Sequence, residues 1–161
     1  MFAPALAVFS QFTHQALGDR LVAVVLYGSV ARGEAGLDSD VDLVVVARDW
    51  PGGRMAATNA FMAVEDAAMA TPAWEALRAQ GYRAEPIPQL WSLAALQAFS
   101  FLHLDLATDG IALYDADGVF AQRMGQVRAR MAELGTRRVV DRQGWYWDLK
   151  PDFQPGEVIA L

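Results

Sequence analysis

Two aspartates separated by one residue, Asp40 and Asp42, have the spacing that most directly indicates chemistry in this sequence. Side chains alternate along a strand, so the two carboxylates are expected on one face, about 6 to 7 Å apart. The strand predicted at 41–47 is otherwise apolar, and burying unpaired carboxylates there is strongly unfavourable. A divalent cation would relieve this cost, and oxygen ligands favour Mg²⁺ or Mn²⁺. The alternative is that both residues lie at an exposed strand start and cap a loop.

Gly28 and Ser29 are candidates for a second part of the same site. They follow the apolar run LVAVVLY at 21–27 and precede a short helical segment, so their backbone N–H groups are expected above a strand end. Glycine allows a ligand to approach the backbone closely, and serine adds a hydroxyl donor. This arrangement suits a phosphate, although Gly-Ser pairs also occur in ordinary turns. A phosphate cradle beside two acids that bind metal ions is typical of in-line phosphoryl or nucleotidyl transfer.

The segment 28–43 resembles the GSxARGxxxxxSDxDL signature of the minimal nucleotidyltransferases, members of the DNA polymerase β-like superfamily. The matching positions are Gly28, Ser29, Ala31, Arg32, Gly33, Ser39, Asp40, Asp42 and Leu43. DGIALYDADG at 109–118 is similar to a recurrent feature of the C-terminal part of that family. The resemblance implies a polymerase β-like palm fold and ATP as substrate. It also implies that Gly28 and Ser29 contact the phosphates and that Asp40 and Asp42 bind two Mg²⁺ ions, with Mn²⁺ as a substitute.

A third carboxylate usually lies on the next strand of this family, and Glu85 is the only acid in the predicted third strand, 82–91. By resemblance, Glu85 would complete the metal shell or act as general base on the acceptor hydroxyl. The family more often has Asp here, and a solvated surface glutamate is the alternative. Arg32 is a candidate partner of the triphosphate, and its alternatives are exposure to water or pairing with Glu34.

The resemblance also implies a partner protein. Family members of similar size are often encoded beside a small helical HEPN-type toxin, which they neutralise by adenylylating a tyrosine. Relatives that modify aminoglycosides usually carry an added helical domain, for which 161 residues leave little room. We therefore expect transfer of AMP to a protein hydroxyl and an antitoxin role. The alternative is a nucleotide-binding partner protein that acts by contact, with transfer weak or lost, and Glu85 is the residue that distinguishes the two.

The elements that must position these residues form an alternating α/β pattern. Near-helical apolar spacing predicts a helix over 2–17, and two apolar runs predict buried strands over 21–27 and 41–47. Pro86 and Pro88 lack backbone donors and place the third strand at a sheet edge. The expected fold class is α/β (α+β), a small mixed β-sheet flanked by helices. The other predicted elements are helices over 55–70, 72–80, 92–109 and 118–134 and strands over 82–91 and 111–114.

We predict a nucleotidyltransferase domain over 1–135 and an aromatic, basic tail over 136–161 that packs on the same domain. The tail could form a lid over a base or phosphate, or only pack and solvate. A third option for the tail is RNA binding. The candidate lid residues are Arg137, Arg138, Arg142, Trp145, Tyr146, Trp147 and Lys150.

Composition limits the function classes. A net charge of -6 argues against binding of long nucleic acid, and the absence of cysteine excludes disulfides and thiolate chemistry. No apolar run approaches the roughly 20 residues of a membrane span, and no basic leader is present, so we expect a cytoplasmic protein.

His14 and His103 are expected to pack on separate helices. The sequence contains no GxxxxGK[ST] loop and no GxSxG elbow, which excludes a P-loop mechanism and gives no support to an esterase.

Overall fold

The structure is a computed structural model that describes residues 1–142, 144–154 and 156–159. Helices and strands alternate along most of the chain, as the sequence pattern predicts. The helices are α1 (Ala3–Leu17), α2 (Gly28–Arg32), α3 (Gly53–Met69), α4 (Pro72–Ala79), α5 (Leu93–Gln97), α6 (Leu102–Asp109) and α7 (Val119–Leu134). The strands are β1 (Leu21–Leu26), β2 (Val41–Ala47), β3 (Pro86–Ser92), β4 (Ile111–Asp115), β5 (Arg137–Asp141) and β6 (Gly144–Asp148).

The main sheet has the strand order β3-β2-β1-β4. β1 runs antiparallel to β2 and β4, whereas β2 and β3 are parallel, so the sheet is mixed as expected. β1 and β2 lie in the middle, which accounts for their nearly continuous apolar sequences. β3 is an edge strand, as its two prolines, Pro86 and Pro88, predict. The predicted α/β fold class is therefore confirmed.

Helices cover both faces of this sheet. On one face, α1, α3 and α4 contribute Phe9, Phe61 and Trp74 to a buried cluster. On the other face, α5, α6 and α7 contribute a second cluster, which includes Leu96, Leu104, Met124 and Val127. Val44 and Val46 of β2 belong to the second cluster, and alternation along the strand places Asp42 on that same side. The acid therefore lies at the end of the sheet face that α5, α6 and α7 cover.

The predicted helix over 92–109 is wrong in one respect, because the structure divides it into α5 and α6. His103 makes this break possible. Its Nδ1 atom accepts a hydrogen bond from the Ser100 backbone N–H at 3.1 Å, and its Nε2 atom lies 2.9 Å from the Leu96 carbonyl oxygen. The buried ring thus satisfies backbone groups on both sides of the break. The segment contains no glycine or proline that would mark the interruption.

His103 should make stability depend on pH. Burial lowers the pKa of His103, because the imidazolium would lose its hydration. The unfolded chain then binds a proton more readily than the folded chain, so the free energy of unfolding should fall as pH drops below about 6.5, the usual histidine value. Urea unfolding at pH 7.5 and pH 5.0 measures this change. The difference between the two pH values should shrink in His103→Gln and persist in the control His14→Gln; equal differences in both variants would contradict the assignment.

The predicted third strand, 82–91, is too long at its N-terminal end, since β3 begins at Pro86. Tertiary contacts occupy the preceding residues instead. The Arg83 backbone N–H donates to the Leu37 carbonyl at 2.7 Å, and Trp74 Nε1 donates to the Ala84 carbonyl at 2.7 Å. Ala84 has a φ of +49°, which is incompatible with a continuing strand. Glu85 therefore lies immediately before β3 and not within it.

The C-terminal residues form a hairpin of β5 and β6, which the sequence analysis treated only as a tail. The hairpin contacts α6 through Trp147, whose Nε1 donates to Asp105 Oδ1 at 3.1 Å. Arg138 on β5 also bonds to α6, with its Nη2 atom 2.7 Å from Asp109 Oδ2. These contacts hold the hairpin against the main body of the chain.

Candidate active site

Asp40 and Asp42 meet at the start of β2. The Tyr27 backbone N–H, just after β1, donates to the Asp42 carbonyl at 3.0 Å, which fixes the level of Asp42 beside the end of β1. Asp42 is half-buried, and its pKa is raised first by burial and then by the negative charge of Asp40. Arg32 opposes this effect and lowers the pKa of Asp42. The two carboxylates therefore lie near each other and repel, as their spacing predicts.

Asp40 has one oxygen that nothing satisfies. Although 38% of its side chain is exposed, the Oδ1 atom is buried and finds no hydrogen-bond partner among the described residues. The closest cation is Arg83, whose Nη1 atom lies 3.7 Å from this oxygen, too far for a hydrogen bond. A buried acceptor without a partner is rare in folded proteins and marks a place where an ion or ligand would be stabilised.

Gly28 lies directly against the carboxylate of Asp42. A Cβ atom at Gly28 would overlap Asp42 Oδ2 and approach Cγ to 3.0 Å. Gly28 also has a φ of +71°, a conformation that side-chain-bearing residues rarely adopt. Glycine is therefore required at this position both by the backbone and by the neighbouring acid. The bend at Gly28 and the acid pair belong to one site, which the sequence analysis inferred from separate motifs.

The chemistry of this pair fits a magnesium ion bound together with a nucleotide. Mg²⁺ commonly takes one or two carboxylates and completes its shell with phosphate oxygens and water. Asp40 and Asp42 supply two carboxylates, one of them with an unsatisfied buried oxygen. Over residues 1–142, 144–154 and 156–159, the structure places no group of three acidic or histidine residues around a possible ion position.

Among the described residues, Glu85 is paired with Arg83 and does not form a three-acid group with Asp40 and Asp42. Its Oε2 atom accepts a hydrogen bond from Arg83 Nη2 at 2.7 Å, and about half of each side chain is exposed. This hydrogen bond lowers the pKa of Glu85. A general base works best with a pKa near the operating pH, so Glu85 is a weak base in this arrangement. Its predicted place in the metal shell would require Arg83 to move away.

About half of the chain matches a known protein family. The sequence model of the nucleotidyltransferase domain family matches residues 10–87, which include β1, α2, β2, the acid pair and Glu85. This segment is a nucleotidyltransferase domain. Its catalytic signature, inferred above from Gly28 to Leu43, lies inside the matched range.

One curated relative is similar to part of this chain. It is named "Putative protein adenylyltransferase" and comes from Methanocaldococcus jannaschii. The two sequences are 47% identical over 47 residues, which represent 29% of this chain and 32% of the relative. The match thus spans about a third of the relative's length.

Two solved structures resemble this chain at low sequence identity. One is a toxin–antitoxin structure with AMP-PNP, with 17% identity, a TM-score of 0.47 and coverage of 80% of this chain and 92% of the other. The second contains a tri-AMPylated HEPN toxin of Shewanella oneidensis in complex with an MNT antitoxin, with 16% identity, a TM-score of 0.46 and coverage of 84% of this chain and 93% of the other.

None of the helices in the described ranges has the length and apolar character needed to cross a membrane.

Arg83 of the nucleotidyltransferase domain should weaken metal binding in the nucleotide-free protein. Its guanidinium lies between Asp40 and Glu85 and partly neutralises the site that a cation would enter. Arg83→Gln should therefore raise the affinity for Mn²⁺ by roughly two- to fivefold, as expected for a partly exposed charge. Mn²⁺ titration followed by electron paramagnetic resonance measures this affinity. Arg130→Gln, which removes the same charge from α7, is the matched control, and an unchanged or lower affinity in Arg83→Gln would contradict the competition.

Arg32 of α2 is engaged by acids in the structure. Its Nε atom donates to Glu34 Oε2 at 2.7 Å, and its Nη1 atom lies 3.7 Å from Asp109 Oδ2. The pairing with Glu34 matches the alternative that the sequence analysis left open. Arg32 nevertheless remains close enough to Asp42 to lower its pKa. Its role as a triphosphate partner stays a prediction, and that role would require release from Glu34.

Two residues near the site were missed from sequence. Tyr27 faces the same side as Asp42, and its hydroxyl oxygen accepts a hydrogen bond from Gln89 Nε2 on β3 at 3.0 Å. Burial, and then the charge of Asp42, raise the pKa of Tyr27, so its hydroxyl stays protonated. Gln89 pairs with Val44 in the parallel register of β2 and β3, so it could be recognised as a site neighbour only once that register was known.

The candidate lid residues are largely paired within the chain. The Arg138 guanidinium lies over Trp145 and Trp147, with its central carbon 4.4 and 4.9 Å from the ring centroids. Arg137 pairs with Asp148 at 3.3 Å, and Lys150 pairs with Glu157 at 2.7 Å. These contacts match the packing alternative. A lid role for these residues stays a prediction.

Proposed function

We propose that this chain transfers AMP from ATP to a hydroxyl acceptor in a reaction that depends on Mg²⁺. The observation that carries the proposal is the contact between Gly28 and the Asp42 carboxylate, because it joins a phosphate-binding bend to an acid pair in one place. The unsatisfied oxygen of Asp40 supports a cation beside it. The relative named as a protein adenylyltransferase supports AMP as the transferred group.

Each residue has a distinct task in this proposal. Asp40 and Asp42 would hold the metal, which supplies electrostatic stabilisation of the phosphate charge when bound. Gly28 and Ser29 would hold the donor phosphates through backbone N–H groups and the serine hydroxyl. The acceptor oxygen forms a bond to the α-phosphorus, the bond from that phosphorus to the pyrophosphate oxygen breaks, and the acceptor proton passes to solvent or to a nearby carboxylate. The residues act mainly by positioning and by charge.

We further infer a protein acceptor, specifically a tyrosine of a HEPN-type toxin, with this chain as the antitoxin. The support is the resemblance of the segment 28–43 to the minimal nucleotidyltransferases, together with the name of the relative that matches over 47 residues. A cytoplasmic setting, in which ATP and Mg²⁺ are available, belongs to the same proposal.

The test is covalent labelling with α-³²P-ATP. The protein is incubated with Mg²⁺, labelled ATP and a purified HEPN-type toxin, and the products are separated by denaturing electrophoresis. We expect label on the partner, loss of label with EDTA, and loss of label when the modified tyrosine is replaced by phenylalanine. Label that resists EDTA, or that appears on neither protein, would contradict the proposed reaction.

A second candidate function is an antitoxin that acts by contact, and one observation favours it. Glu85 is occupied by Arg83, and the described part of the chain does not assemble three acids at the site. If contact is sufficient, the Asp42→Asn variant should still block the toxin as well as the wild type does. If transfer is required, that variant should fail to block the toxin although it still binds it.

A further inference from the structure

An acid of α6, Asp109, lies between two arginines from distant parts of the chain. Arg138 Nη2 on β5 donates to Asp109 Oδ2 at 2.7 Å, and Arg32 Nη1 on α2 lies 3.7 Å from the same oxygen. Only 15% of the Asp109 side chain is exposed, and 23% of each arginine side chain. One largely buried carboxylate therefore links the C-terminal hairpin to the short helix that begins at Gly28.

These contacts bear on whether Arg32 can reach a bound phosphate. Arg32 follows Gly28 and Ser29 by one turn of α2, so it lies on the same side of the helix as the bend. To pair with a triphosphate, Arg32 must leave Glu34 and Asp109. The Glu34 side chain is 63% exposed, so its pairing with Arg32 is weak. Asp109 is different, because a largely buried carboxylate that loses its partner is strongly disfavoured.

Arg138 can remain with Asp109 when Arg32 leaves. Its contact with Asp109 is the shorter of the two, and its guanidinium lies over Trp145 and Trp147, with the central carbon 4.4 and 4.9 Å from the ring centroids. Stacking on two rings fixes the guanidinium in place. Asp109 therefore keeps a cation even when Arg32 has moved away.

The charges around Arg32 show what Arg138 must offset. The hydrogen bond to Glu34 raises the pKa of Arg32, burial opposes this, and the charges of Asp109 and Asp105 raise the pKa further. Arg138 Nη2 lies 3.4 Å from Asp105 Oδ1 as well as 2.7 Å from Asp109 Oδ2. Without Arg138, both acids of α6 would attract Arg32 more strongly.

We propose that Arg138 is a positioning residue for ATP, which frees Arg32 to bind the triphosphate by keeping Asp109 paired. The inference rests on the proposed function, which it deepens by giving the C-terminal hairpin a part in nucleotide affinity. Arg138 acts through Asp109 and Arg32 and contacts no phosphate itself.

The first experiment measures binding of α,β-methylene-ATP, which cannot release pyrophosphate, by isothermal titration calorimetry with Mg²⁺. Arg138→Gln should raise the Kd about tenfold, as expected when a largely buried ion pair loses one partner. The matched control is Arg128→Gln, which removes the same charge from α7 and a 3.0 Å bond to the Ala107 carbonyl of α6. This control should stay within about twofold of the wild type. An unchanged Kd in Arg138→Gln would overturn the proposal.

AMP distinguishes a lost triphosphate contact from general damage to the site, because it lacks the β- and γ-phosphates. Its Kd should be the same in the wild type and in Arg138→Gln. An equal loss of affinity for AMP and for α,β-methylene-ATP would overturn the proposal.

The second experiment separates the charge of Arg138 from its packing. Adding Asp109→Asn to Arg138→Gln should return the Kd of α,β-methylene-ATP to within about threefold of the wild type, because no buried charge then retains Arg32. Arg138→Lys keeps the charge and should also bind more tightly than Arg138→Gln. A double variant as weak as Arg138→Gln would assign the loss to packing of the hairpin and overturn the proposal. Weaker binding in Asp109→Asn alone would also overturn it, since Asp109 would then help Arg32 to bind.

Labelling with α-³²P-ATP tells failure of this inference from failure of the proposed reaction. The expected pattern of Kd values without any transfer by the wild type would support the role of Arg138 and count against the reaction. Transfer by the wild type with an unchanged Kd in Arg138→Gln would overturn the role of Arg138 alone. No binding of α,β-methylene-ATP to the wild type would overturn both.

Discussion

Replacement of Asp42 by asparagine should reduce AMP transfer by roughly 10²- to 10³-fold, the effect of removing one electrostatic contact to a reacting phosphate group. The asparagine side chain would keep the shape of the group that lies against Gly28 but remove the charge that holds a divalent ion. Mn²⁺ affinity, measured by electron paramagnetic resonance, should fall along with the transfer rate. Loss of transfer with unchanged Mn²⁺ affinity would mean that Asp42 serves the reaction in another way.

The same substitution should leave the folded protein at least as stable as the wild type. The pKa of Asp42 is raised on folding by burial and by Asp40, so the charged carboxylate is less favourable in the folded chain than in the unfolded one. Below about pH 3.9, the usual value for aspartate, both states are protonated and this cost is absent. The cost develops as pH rises from this value to the raised folded pKa, and it is complete above the folded pKa. The neutral amide in Asp42→Asn removes this cost, and the melting temperature at pH 7 should be equal or higher.

Asp38→Asn is the matched control for Asp42→Asn. Asp38 lies in the loop just before β2, carries the same charge and is exposed. It should leave Mn²⁺ affinity and transfer within about twofold, because exposed charges interact weakly through water. A strong loss in Asp38→Asn would show that overall negative charge, rather than the position of Asp42, determines metal binding. Addition of Mg²⁺ should raise the melting temperature of the wild type and of Asp38→Asn more than that of Asp42→Asn.

The parts of this protein that could be predicted from sequence are those that depend on local pattern. The bounds of β2 follow from a single apolar run, and α7 ends before Gly135, which adopts the left-handed conformation expected of a helix C-terminus. The closeness of Asp40 to Asp42 follows from strand alternation, and the bend at Gly28 follows from its place between a strand and a helix. Each of these features needs only a few neighbouring residues to specify it.

The features that were missed depend on contacts between distant residues. The break between α5 and α6 is stabilised by His103, and no glycine or proline marks it in the sequence. Glu85 could not be placed correctly because the positive φ of Ala84 and the pairing of Arg83 with both acids arise only in the folded chain. The hydrogen bond from Gln89 to Tyr27 joins residues on β3 and just after β1, so it required knowledge of the strand order.

The C-terminal hairpin depends partly on local sequence pattern and partly on contacts with distant residues. Its two strands read RRVVD and GWYWD, which are rich in β-branched and aromatic residues and therefore have high strand propensity. The prediction for residues 136–161 rested only on their charge and aromatic content, so the two strands were not predicted. The pairing of Arg138 with Asp109 and its stacking on two tryptophans depend on α6 and could not be inferred from the hairpin sequence alone.

Gly28→Ala should be the most damaging single substitution at the bend after β1, which we propose binds phosphate. The new Cβ atom would overlap the Asp42 carboxylate, so the acid must move or the backbone must shift. The φ of +71° adds a conformational cost of about 1 kcal/mol for alanine. We expect a lower melting temperature, a loss of Mn²⁺ affinity of about tenfold or more, and nearly complete loss of transfer, because small misplacements of reacting groups reduce rates by about 10²-fold.

Gly33→Ala separates the two causes. Gly33 has a φ of +73°, close to that of Gly28, but a Cβ atom there would meet no heavy atom within 4 Å. The two φ values imply a similar conformational cost in both variants, whereas only Gly28→Ala displaces Asp42. Gly33→Ala should lose stability by about 1 kcal/mol while it retains Mn²⁺ affinity. If both alanine variants bind Mn²⁺ equally well, the contact between the bend and the acid does not position the metal, and the proposed joint site for phosphate and cation is wrong.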